Sequence, residues 1–82
     1  MAEFILYHTE GCHLCHQAEA LLLDAGLNYA LVDICDDDTL AERYGVRIPV
    51  VLRTLDSAEL GWPFNSEALA SFKDAAFNSA AS

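Results

Sequence analysis

The apolar pattern opens with Phe4-Ile5-Leu6-Tyr7, an unbroken run of strand formers with no polar residue between them. Such a run predicts a central strand covered on both faces. Leu14, Ala18, Leu21, Leu22 and Ala25 then recur at helical spacing, and Gly26 stands where a helix would end. An amphipathic helix with these side chains turned inward is predicted. Residues 29–34 again carry aromatic and β-branched side chains and predict a second strand. Strand, helix and strand joined by short links make a right-handed parallel βαβ unit.

The run Asp36-Asp37-Asp38-Thr39 offers capping oxygens and negative charge to the start of a short helix that Gly45 would end. Residues 50–54 predict a third strand, Leu55-Asp56-Ser57 a turn, and residues 58–61 a fourth strand, paired as an antiparallel hairpin. A last helix begins near Asn65 or Ser66, with Leu69, Phe72, Ala76 and Phe77 on one face. The expected class is α/β in the order βαβαββα, a four-stranded mixed sheet of order 2, 1, 3, 4 with helices on both faces. Residues 1–78 are expected to form one domain and 79–82 a frayed tail.

Composition narrows the function. With 82 residues, of which 54% are hydrophobic, the chain has material for a single small core. Four Lys and Arg stand against 13 Asp and Glu, a net charge of −9. That charge repels a phosphate backbone, so no nucleic-acid partner is expected. No apolar stretch approaches the ~18 residues needed to span a bilayer, and Met1-Ala2-Glu3 lacks the basic start of an export signal. A cytoplasmic monomer without a membrane partner is expected.

Three cysteines are too few and too uneven for the disulfide framework of a small secreted domain. Cys12-His13-Leu14-Cys15 follows the first strand and opens the first helix. Side chains three apart share a helix face, so the two sulfurs can reach bonding distance without moving the backbone. Cys12 falls at the helix N-terminus, where free amides and the helix dipole favour a thiolate. Cys12 is therefore the expected nucleophile on a substrate disulfide, and Cys15 the thiol that resolves the mixed disulfide.

The CxxC between the first strand and helix, together with Arg47-Ile48-Pro49-Val50 ahead of the hairpin, resembles a glutaredoxin of the thioredoxin superfamily over about the whole chain. The resemblance implies a thioredoxin-like fold, thiol–disulfide oxidoreductase activity and a cis peptide bond before Pro49. It also implies that the backbone of Ile48 pairs with substrate. The chain departs from the family at several positions. His13-Leu14 replaces the usual Pro-Tyr, Thr9 replaces a lysine, and Gly61-Trp62-Pro63-Phe64-Asn65-Ser66 replaces the segment that holds one end of glutathione. It is most similar in style to small glutaredoxin-like proteins whose substrate is undefined. The implied partner is a disulfide-containing protein or glutathione, and no cofactor is required beyond glutathione as a candidate reductant.

Further candidates surround this motif. Arg43, Arg47 and Arg53 fall within eleven positions about Pro49 and could form a basic patch for a carboxylate, with Arg47 the best placed. Arg43 has the plainer alternative of answering Glu42 and the Asp run. Trp62 and Phe64 offer either an apolar wall to substrate or cover for the sheet edge. His13 is the candidate modulator of the Cys12 thiol, while His8 and His16 read as surface or packing residues. Cys35 reads as a small buried hydrophobe.

Three rival functions remain at this point. Cys12-His13-Leu14-Cys15-His16 matches the c-type haem signal CxxCH, but the sole Met is the initiator, which leaves haem without a Met axial ligand. Cys12, Cys15, His16 and Cys35 could ligate zinc, or the cysteines an iron–sulfur cluster, although no second CxxC accompanies the first and no metal ligand is assigned. The third rival is a binding module whose thiols take no part in chemistry.

Overall fold

The computed structural model describes residues 3–81, with side chains over 3–74. The first apolar run forms β1 (Phe4–His8), followed by α1 (His13–Asp24), β2 (Tyr29–Asp33), α2 (Asp38–Tyr44), β3 (Val50–Arg53), β4 (Ala58–Gly61) and α3 (Ser66–Ala81). The sheet order is β2-β1-β3-β4, as the pattern predicts. β1 runs parallel to β2 and antiparallel to β3, and β3 and β4 form the hairpin. Of the tail expected over 79–82, Ser82 lies outside the described residues, as do the side chains of 79–81.

Alternation along β1 divides the core in two. Leu6 and its cross-strand partner Val51 join Ala18 and Leu22 of α1 and Leu69 of α3 on one face. Tyr7 and its partner Val50 join Ile34 and Tyr44 on the other, beneath α2.

Local chemistry sets the helix ends. Gly26 adopts φ +71°, a left-handed conformation that costs glycine least. Gly26 N–H donates to the Leu23 carbonyl and Leu27 N–H to that of Leu22, both at 3.1 Å. With Leu22 and Leu27 sharing the core, these bonds complete a Schellman end to α1. Asp37 caps α2, its Oδ1 accepting from Thr39 N–H at 2.8 Å. Asn65 caps α3, accepting from Ala68 N–H at 2.8 Å.

Two expectations change. Leu14 was placed on the inner face of α1 but is 44% exposed, and the buried residues are Cys15, Ala18 and Leu22. Successive residues turn by about 100°, so Cys15 draws the centre of the buried stripe towards itself and leaves Leu14 at its margin. Arg53 was grouped with the basic residues about Pro49, but it lies at the far end of β3, opposite Phe4, and is buried. Its guanidinium donates to both Asp56 oxygens, at 2.9 and 2.6 Å, and to the Phe72 carbonyl at 2.8 Å. The planar fork thereby ties the hairpin turn to α3.

Replacing Leu22 by Ala should cost about 2–5 kcal/mol, whereas Leu14→Ala should change stability by less than about 0.5 kcal/mol. Urea unfolding of both variants tests the rotation of α1. Arg53 holds the Asp56 carboxyl down to about 2. A depressed folded value means that the stabilisation is complete above the ordinary carboxylate value of about 4 and is lost as pH falls towards about 2. Between those values wild-type protein should therefore lose more in its urea midpoint than Asp56→Asn.

Candidate active site

The turn from β1 into α1 builds the thiol site. Gly11 adopts φ +81°, which lets the chain reverse after Glu10, and Cys12 N–H donates to the Thr9 carbonyl at 3.4 Å. Cys12 is the N-cap of α1 and not its first helical residue, with an extended backbone and a side chain that accepts from the Cys15 amide. That N–H to sulfur distance is 3.1 Å. Cys12 and Cys15 are joined by a disulfide, their Cα atoms 5.2 Å apart. Cys15 is 2% exposed and Cys12 half-buried, so one sulfur has access to solvent and the other stands behind it. His13 and His16 are exposed on the opening turn of the helix.

Cys35 corrects the reading of a buried hydrophobe, because it is exposed. β2 stops at Asp33, whose Oδ1 accepts from Cys35 N–H at 2.9 Å and starts a 3-10 turn over Ile34–Asp36. The turn sends Ile34 into the core and Cys35 outward. Cys35 Sγ lies 3.1 Å from the Thr9 hydroxyl, on the loop that carries Cys12. The Asp33 carboxyl is held below its usual range, chiefly by the Cys35 amide. Among the described residues, no group of three or more His, Cys, Asp or Glu is arranged to hold a metal ion.

The second half of the site is the loop between α2 and β3. The Ile48–Pro49 peptide is cis, as the resemblance implied, and so is Trp62–Pro63. Pro49 is buried, and its carbonyl accepts from Trp62 N–H at 3.1 Å. The amides of Arg47 and Ile48 both donate to the Tyr44 carbonyl, at 2.8 and 3.0 Å. The N–H of Ile48, whose backbone is expected to pair with substrate, is therefore engaged within the loop.

Tyr44 organises this region although the sequence reading assigned it no role. Its ring, 3% exposed as a residue, stacks on Tyr7 with centroids 4.5 Å apart. Arg43 and Arg47 place their guanidinium carbons 5.5 and 5.3 Å from the ring centroid. The Tyr44 hydroxyl donates to one oxygen of Glu59 on β4, and Arg47 donates to the other at 2.9 Å. Burial, then the Glu59 bond, pushes the Tyr44 hydroxyl up to about 12. The Tyr44 bond first, and then Arg47, hold the Glu59 carboxyl below its ordinary value. The signal that could have been read was an aromatic residue with arginines one before and three after it.

Trp62 is half-buried, meets Phe64 edge-on at 5.0 Å and packs against the core. Phe64 is a core residue. The outer face of Trp62 lines an open groove of about 490 Å3 with Gln17, Ala20, Leu21 and Asp24 of α1. The sequence-predicted residues thus fall into two groups: Cys12, His13 and Cys15 on the α1 turn, and Arg47, Ile48 and Pro49 on the loop before β3, with Trp62 bonded to the latter. Among the described residues, no helix is long and apolar enough to cross a membrane.

Comparison with known proteins agrees with this geometry. The crystal structure of target protein XcR50 from X. campestris superposes with a TM-score of 0.82 at 38% identity, covering 88% of this chain and 96% of that one. Protein Ne2328 from Nitrosomonas europaea gives 0.70 at 24% identity, over 87% of this chain and 89% of that one. The glutaredoxin grx-1 from Archaeoglobus fulgidus gives 0.62 at 20% identity, over 87% and 85%, and shares the fold. No functionally curated protein matches this chain. The model of the Glutaredoxin-like domain (DUF836) matches residues 3–72. A redox-spaced cysteine pair on a thioredoxin-like fold, with that match over most of its length, makes the chain a member of the glutaredoxin-like domain family.

Proposed function

We propose that the protein is a thiol–disulfide oxidoreductase working through Cys12 and Cys15. The observation that carries this reading is the capping geometry: the Cys15 amide donates to the Cys12 sulfur at the start of α1, with Cys15 buried behind it. On reduction, the same amide and the helix dipole favour negative charge on Cys12.

The Cys12 thiolate attacks one sulfur of a substrate disulfide, and the other sulfur leaves as a thiolate that takes up a proton. Cys15 then gives up its proton and attacks the Cys12 sulfur. The remaining substrate sulfur departs as a thiolate, and the Cys12–Cys15 disulfide forms. Two electrons have passed from the cysteine pair to the substrate. A thiol reductant, with glutathione a candidate, returns them, and no resident prosthetic group takes part.

Ile48 and Pro49 present the substrate. Because the Ile48 amide is engaged by Tyr44, its carbonyl is the main-chain group assigned to this contact. Arg47 and Trp62 flank the path, and His13, exposed beside Cys12, moves protons at the leaving thiolate. The substrate is a disulfide in a protein or in glutathione, met by a cytoplasmic monomer with no nucleic-acid or membrane partner.

Cys15→Ser should accumulate a covalent mixed disulfide with substrate that a reductant dissolves, and Cys12→Ser should neither form that species nor turn over. Mass spectrometry without reductant distinguishes them, and a Cys12→Ser protein with full reductase activity would overturn the proposal. Alkylation of the oxidised protein should label Cys35 alone. After graded exposure to a reduced glutathione buffer, Cys12 should label next and Cys15 last. Labelling of Cys15 before Cys12 would reverse their assigned roles.

A further inference from the structure

The molecule carries a net charge of −9 and four Lys and Arg. Two of them are committed inside the fold. Arg53 is bound to Asp56 and the Phe72 carbonyl, and Lys73 reaches the Ala25 carbonyl at 3.4 Å. The other two, Arg43 and Arg47, both stand over the ring of Tyr44. That ring is held against Tyr7 and is not free to move aside. One carboxylate answers the pair: Glu59 binds Arg47 through Oε1 and the Tyr44 hydroxyl through Oε2. Among the described residues, Arg43 makes no ion pair.

Two guanidiniums against one carboxylate leave a single uncompensated positive charge, fixed beside the loop that leads into Ile48 and Pro49. The Arg47 side chain is 46% exposed, and its neighbour Val46 is fully exposed at 100%. An apolar side chain and a guanidinium thus stand next to each other along the chain, exposed, just ahead of Ile48. Both guanidinium carbons lie within 5.5 Å of the centre of this buried ring, close enough for a cation–π attraction that holds them near it.

We propose that Arg43 and Arg47 are specificity residues selecting peptide disulfides with an Asp or Glu side chain near the cysteine, and that Glu59 limits the site to one such carboxylate. This inference rests on the dithiol reading of Cys12 and Cys15. Glu59 is a positioning residue: it orients Arg47 and cancels one of the two charges without touching substrate. The preference runs against the field of the whole molecule. A protein of charge −9 attracts a basic peptide at long range, so a faster reaction with an acidic one requires a local site.

The test uses short peptides with one cysteine capped as a mixed disulfide with mercaptoethanol, flanked by Glu, Gln or Lys. Pre-reduced protein is mixed with each at low ionic strength, and the second-order rate of cap release is read by mass spectrometry. The Glu peptide should react about five- to tenfold faster than the Lys peptide. Molar salt should shrink that ratio. In Arg43→Gln/Arg47→Gln the ratio should fall to about one or below, and in Glu59→Gln it should rise by about threefold as a second charge is released. Because each result is a ratio within one protein, a general loss of folding or activity does not imitate it.

Equal rates for the three peptides, or a faster Lys peptide, would overturn the inference while leaving the dithiol reading intact. So would a ratio that survives in the double arginine variant or falls in Glu59→Gln. Release from none of the peptides would overturn the dithiol reading and this inference together. Mercaptoethanol-capped glutathione serves as a further arm. If it alone loses rate in the arginine variants, the site holds a terminal carboxylate and the assignment to a peptide side chain fails.

Discussion

β1 has a hydrogen-bonded strand on each side and a helical layer over each face, so a polar side chain within its apolar run would be buried without a partner. That constraint fixes the register of the sheet, since a slip of one residue would exchange Leu6 and Tyr7 between the two cores. It also assembles the site. β1 delivers Thr9, Gly11 and Cys12 from its carboxyl end, and the pairing of Tyr7 with Val50 brings Pro49 to that same end. The cysteine turn and the loop before β3 arrive from separate parts of the chain, and the position of each is set by how β1 and β3 pair.

Much of this architecture was legible because it follows from local rules. Gly26, the aspartates ahead of Thr39 and the unbroken apolar run of β1 each act through neighbours only a few residues away, and each was read from the chain. What escaped turns on where the fold carries a side chain, which residue type alone does not state. Arg53 looked like a neighbour of Pro49 along the chain, but an extended strand carries it to the opposite end of the sheet, where Asp56 and the Phe72 carbonyl await it. Cys35 looked apolar because its type often is, whereas the turn begun by the Asp33 side chain decides its direction. Within the site, the CxxC and the Ile48–Pro49 pair carry their own signal. Tyr44 carries a partial signal in its flanking arginines, but Glu59 carries none, since its importance lies in a contact between α2 and β4 that no spacing along the chain announces.

The electrostatics of the two halves differ. The cysteine pair draws on backbone, through an amide and the end of a helix. The neighbouring loop draws its charge from side chains: two guanidiniums, one aromatic ring and one carboxylate. The two halves of the candidate site are thus built from different materials. Substitutions can change what approaches the sulfurs while sparing the sulfur geometry.

Trp62 is the sole tryptophan of the chain. Its indole is half-buried against Phe64, and its amide is bonded to the carbonyl of Pro49. The protein therefore contains an intrinsic fluorophore mechanically linked to the loop before β3. Its emission is a label-free optical gauge of any molecule that displaces that loop.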